Sequence, residues 1–108
     1  MSTFVSLLGD TWETAEYATA QTDTVIVAAP GAGKAVQLLE WKWTSDTQLK
    51  ITFEEGANLV DAQYCDARGG QVVPWSKAIQ LGENIALTVT TSADGNVMIG
   101  VLYRTVDV

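Results

Sequence analysis

The chain has 108 residues, with 13 acidic against 6 basic side chains, a net charge of −7, no histidine and one cysteine. That length suits one domain, and 47% hydrophobic with 18% charged residues reads as globular, not disordered. The acidic balance argues against nucleic acid and anionic membrane surfaces, and the missing histidine removes Ser-His-Asp chemistry and the usual zinc ligands.

Residues 1–8, MSTFVSLL, carry no basic leader, and no apolar run is long enough to span a bilayer. The chain is therefore expected to be made in, and to stay in, a reducing cytosol. Residues 11–20, TWETAEYATA, fit either a helical turn capped by Thr11 or an extended segment with Trp12, Thr14 and Glu16 on one side. The extended reading is adopted, which makes residues 1–20 an N-terminal arm or edge strand of a single domain over residues 1–108. TVIVAA (24–29) is β-branched and closes at Pro30-Gly31. In residues 35–44, Leu39, Trp41 and Trp43 are expected on one face and Glu40, Lys42 and Thr44 on the other.

QLKITFEEG (48–56) alternates most cleanly, with Leu49, Ile51 and Phe53 inward. The short link through Ser45-Asp46 predicts a hairpin with the preceding strand. Residues 57–64 are ambiguous, and residues 67–70 predict a turn. QVVPW (71–75) reads as a short edge strand because Pro74 lacks the N–H a central strand needs. Residues 76–83 read as a connection with room for one helical turn. A second hairpin is expected from residues 85–90 and 97–104 across Ala93-Asp94-Gly95-Asn96, and its last strand is apolar on both faces. Short strands at this spacing predict an all-β, jelly-roll-like antiparallel sandwich of about eight strands.

The segment AAPGAGKAV (28–36) invites comparison with a phosphate-binding P-loop. Ala28 and Ala35 stand where that motif needs its first glycine and its hydroxyl, and a strand follows where it needs a helix. The segment therefore reads as a turn. Glu54 and Glu55 are adjacent and point to opposite faces of a strand. Asp61 and Asp66 flank the ambiguous segment and are close enough in sequence to approach each other, but reading them as an acid/base pair requires a desolvation that sequence does not show. Asp94-Gly95-Asn96 is too short for a calcium loop and is a turn. Cys65, alone and without a histidine base, reads as a structural thiol. No catalytic, cofactor-binding or metal residue is assigned. The four tryptophans are many for this length. Trp41 and Trp43 read as core, whereas Trp12, Tyr64, Trp75, Met98 and Leu102 are the candidates for an interface or ligand surface.

The series PGAGKAVQLLEWKWTSDTQLKITFEEG, then GGQVVPW, then NIALTVTTSADGNVMIGVLYRTV, resembles small β-sandwich proteins of tailed bacteriophage virions. These are capsid decoration (cement) proteins and related modules with a jelly-roll or TNF-like fold. The resemblance spans residues 14–106 and lies in fold marks, namely a Gly-rich turn before a strand and an N-x-A-L-x-V-x-T strand before a turn. It implies a protein without enzymatic activity or cofactor. Such a protein would bind the major capsid protein lattice on the capsid exterior and self-associate as a homotrimer or a dimer. The alternatives are a phage tail or fibre module and a carbohydrate-binding sandwich using Trp75, Tyr64 or Trp12.

Overall fold

A computed structural model describes the backbone of residues 2–5 and the whole of residues 10–108. Among these residues nine strands follow in order: β1 (Ser2–Val5), β2 (Thr11–Tyr17), β3 (Thr24–Val27), β4 (Lys34–Ser45), β5 (Leu49–Glu55), β6 (Asn58–Cys65), β7 (Gly69–Gln80), β8 (Leu87–Thr91) and β9 (Val97–Asp107). They form two antiparallel sheets, β1-β2-β9-β4-β7 and β3-β8-β5-β6. The neighbours nest, β2 with β9, β3 with β8, β4 with β7 and β5 with β6. This is the path of one long antiparallel ribbon rolled into two sheets, the jelly roll that strand spacing predicted.

The period-2 pattern fixes which face of each strand is inside. On β5, Leu49, Ile51 and Phe53 are buried, and on β9, Val97, Ile99 and Val101 are buried. On β4 the expected inward trio is corrected. A bulge between Leu38 and Glu40 takes Leu39 out of phase, so Val36 and Leu38 are buried before it and Trp41 and Trp43 after it. The sheets meet where the Trp41 ring from one stands edge-on to Phe53 from the other, with centroids 4.4 Å apart and planes at 87°. Each large apolar side chain removed from water in this layer contributes about 1.5–3 kcal/mol.

Two expected hairpins are corrected. β4 and β5 belong to different sheets, and so do β8 and β9. The links between them are corners of the sandwich, whereas β5 and β6 form a same-sheet hairpin. The two corners are tied together. Asp46 N donates to Asn96 O at 3.1 Å, Asn96 N donates to Asp46 Oδ1 at 2.9 Å, and Asn96 Nδ2 donates to Asp46 Oδ2 at 2.7 Å. Residues 11–17 are extended as expected, but β2 lies between β1 and β9 and is not an edge. The predicted five-residue strand at 71–75 is the middle of a twelve-residue strand that continues to Gln80, so no helical turn follows it at 76–80. Its place at a sheet edge is as Pro74 requires.

Candidate functional site

Three of the five candidate surface residues share one face. The rows Trp12–Leu102–Glu40–Pro74 and Glu16–Met98–Thr44–Gly70 run across β2, β9, β4 and β7 on the outer side of the larger sheet. Between them lies the row Thr14–Gly100–Lys42–Val72. Gly100 has no room for a side chain, because a Cβ there would run into the ring of Trp12. The six-membered ring of the indole thus occupies the space over the glycine, and Lys42 Nζ is 5.0 Å from the ring centroid. Met98 and Val72 are exposed on the same face. The result is an aromatic and aliphatic strip across the middle of an outer sheet face, a composition that favours protein contact over solvent.

The other two candidates lie elsewhere. Tyr64, 83% exposed, stands on β6 opposite Lys50, on the outer face of the smaller sheet. Lys50 Nζ is 5.3 Å from its ring. Trp75 is only partly buried, but it packs against the core cluster from the inner side of β7. Trp12, Tyr64 and Trp75 therefore do not assemble one stacking platform.

An open groove of about 690 Å³ crosses one end of the larger sheet. The end of β2, the two tied corners and the β6–β7 turn supply its walls, with Glu16, Thr44, Asp46, Arg68, Asn96 and Met98 among the lining residues. Hydrogen bonds from Thr47 and Asn96 hold the Asp46 carboxyl below the usual 3.8 of an aspartate. Arg68 sits at φ 58, in the left-handed region that few non-glycine residues adopt. This groove was not anticipated from the sequence, because four loops far apart in the chain build it.

The sequence motifs that suggested chemistry are occupied by structure. In the Gly-Lys loop, Gly33 adopts φ 77 and its amide donates to Glu83 Oε2 at 3.1 Å, while the Gly31 amide donates to Asn84 Oδ1 at 2.9 Å. A carboxylate of the chain itself thus sits where a phosphate would have to bind. Lys34 Nζ bonds Asp107 Oδ1 at 3.2 Å. Glu54 Oε1 accepts from Thr90 Oγ1 at 2.6 Å and Glu55 Oε1 from the Gly82 amide at 3.2 Å. Asp61 Oδ2 accepts from Trp41 Nε1 at 2.8 Å, and Asp66 is exposed at the start of the next turn, so the pair is not brought into one site. Cys65 is buried, and burial pushes its thiol up to about 11, the opposite of what a nucleophile needs.

Sequence reasoning missed two carboxylates with buried surroundings. Glu13 faces inward on β2, where burial first and the Glu13 charge second push the Tyr103 hydroxyl above its ordinary range. Asp10 takes a two-pronged bond from Arg104, with Nε at 2.9 Å from Oδ1. The alternation Glu13, Ala15, Tyr17 was the available signal for Glu13. Among the described residues no group of three or more acidic or cysteine side chains is placed to hold a metal ion. No model of a known protein family matches the chain, and no curated protein matches its sequence.

Proposed function

We propose that the chain is a non-catalytic structural protein of a tailed-phage virion, a head decoration protein that binds the major capsid protein lattice from outside and self-associates, as a trimer in preference to a dimer. The observation that carries this reading is the outer face of the larger sheet. The sandwich already has a filled core, yet Trp12, Leu102, Met98 and Val72 lie in neighbouring rows on its outside. Such a strip supplies the desolvated centre of an interface, and repetition on a symmetric lattice multiplies a modest single-site affinity. The commitment of Glu54, Glu55, Asp61 and Glu83 to hydrogen bonds within the fold supports a role without catalysis. A tail or fibre module would use the same kind of surface. The aromatic carbohydrate platform is less well supported, since its three candidate rings are dispersed.

The test is co-sedimentation with assembled shells of tailed-phage major capsid protein, together with sedimentation equilibrium of the chain alone. Binding in stoichiometric amount, lost on Leu102→Lys and Met98→Glu but retained on Tyr64→Ala, is the expected result. A monomer that ignores the shells, or binding that survives both outer-face substitutions, would overturn the assignment.

A further inference from the structure

We infer that the groove at the tied-corner end of the larger sheet binds an acidic saccharide, with Arg68 taking the sugar carboxylate. Cations are scarce in this chain of net charge −7. Lys34 is paired with Asp107 and Arg104 with Asp10, while Lys42 and Lys50 lie over Trp12 and Tyr64. Among the described residues that leaves Arg68 and Lys77 without a carboxylate or ring partner, and of these Arg68 lines the groove. The fold does not explain an arginine there. At φ 58 the turn would be served at lower strain by glycine or asparagine. A planar cation facing an open groove, among so many carboxylates that it does not pair with, is suited to an anion from outside.

The remaining lining selects the class of anion. The groove crosses the strands, and at this level Tyr17, Val97, Ser45 and Gly69 are already paired across β2, β9, β4 and β7. Of these strands only β7, at the sheet edge, has a side open to strand addition, and a peptide added there would run along β7 and not across the groove. Besides Arg68 the space is lined by Thr44, by the carboxylates Glu16 and Asp46, the latter tied to Asn96, and by the apolar Met98, so that hydroxyl acceptors flank the one cation. Hydroxyl-rich ligands use such a mixture, polar groups for vicinal hydroxyls and an apolar patch for the C–H face of a ring. The span from β2 to β7 is three strand spacings, about 14 Å, so the ligand is a short oligosaccharide lying across the strands. A volume of about 690 Å³ falls within the usual range for small-ligand sites. This site lies at the end of the outer face and does not depend on the virion reading.

The experiment is a titration of the full chain with trigalacturonic acid, followed by amide chemical shifts and calorimetry, beside neutral maltotriose and a short acidic peptide. The expected result is saturable binding of the uronate, with shifts centred on Glu16, Thr44, Arg68 and Asn96. Affinity should fall at least tenfold on Arg68→Asn, a change the positive φ tolerates, and by a smaller factor on Glu16→Ala. Unchanged melting temperatures would show that both variants fold. The inference is overturned if the uronate produces no shifts in the groove, if Arg68→Asn binds it as well as the parent, or if maltotriose or the peptide binds equally well.

Discussion

Trp41 and Trp43 look equivalent in the sequence, two residues apart on the inner face of one strand, yet their indole N–H groups meet different fates. Trp41 Nε1 donates to Asp61 Oδ2 at 2.8 Å, whereas Trp43 Nε1 is buried without an acceptor among the described residues. Replacing either by phenylalanine removes similar apolar area. Only at Trp41 does the change also break a bond to a carboxylate and leave that carboxylate without its indole donor, whereas at Trp43 it relieves a stranded donor. Trp41→Phe is therefore expected to cost about 1–2 kcal/mol more than Trp43→Phe in chemical denaturation. Equal costs, or a larger one at Trp43, would show that the Trp43 indole is satisfied. The inward direction of both rings was legible because it follows from alternation. The difference between them was not, because Asp61 arrives from a strand whose inward positions, Asp61, Gln63 and Cys65, lack the apolar pattern that reveals a buried face. Leu39 misled for a related reason, since a bulge shifts the phase without any mark in the residue types.

At the scale of elements, strands were easier to find than their partners. The runs at 48–56 and 97–104 alternate and are strands, but Ser45-Asp46 and Asp94-Gly95 serve equally well as hairpin turns or as corners between sheets. What decides the matter is distant: Asp46 is held by Asn96, fifty positions away along the chain. Asp46 also predicts a pH dependence. Its carboxyl titrates below the ordinary value of 3.8 in the folded protein, so the folded state favours the charged form. The stability this corner contributes is present in full above the unfolded value and is lost as pH falls through the lower folded value. Asp46→Asn, which keeps only one of the two accepting oxygens, is expected to melt slightly below the parent at neutral pH. The gap should narrow as the pH is lowered below 3.8, because the parent then loses the charge too. Melting curves across that range check this, and a gap that stays constant or widens in acid would show that the charge on Asp46 does not hold the corner. Acidic residues elsewhere titrate in both proteins and cancel in the difference.

For the whole molecule, the nested order of strands sets the folding problem. Of the pairings that build the two sheets, β1–β2 and β5–β6 join strands that follow one another, while β2–β9, β3–β8, β4–β7, β4–β9 and β5–β8 each close a large part of the chain. A long loop must be closed before such a pairing returns any contact energy, so topologies of this kind fold slowly whatever their final stability. The core does not divide along the chain either: Trp41 meets Phe53 across the sheets, and the corners of β4–β5 and β8–β9 are locked together. Folding is therefore expected in the range of about milliseconds to seconds, as a single phase. Tryptophan emission should report it, because Trp41 and Trp43 pass from water into the core. The β5–β6 hairpin, local and carrying Phe53, is the element best placed to form early. Phe53→Leu should then slow refolding more than it speeds unfolding, whereas Val36→Ala, on a strand paired with β9, should act mainly on unfolding. Refolding in microseconds, or a slowing confined to the Val36 variant, would place the nucleus outside that hairpin. The slow closure also bears on assembly. A chain that must bring β9 back between β2 and β4 completes its outer face, with Leu102 and Met98 on β9 and Trp12 on β2, only at the end. The strip of apolar residues proposed to meet a partner thus does not exist as a continuous surface until the fold is finished, and partner binding should track the native population in a refolding time course.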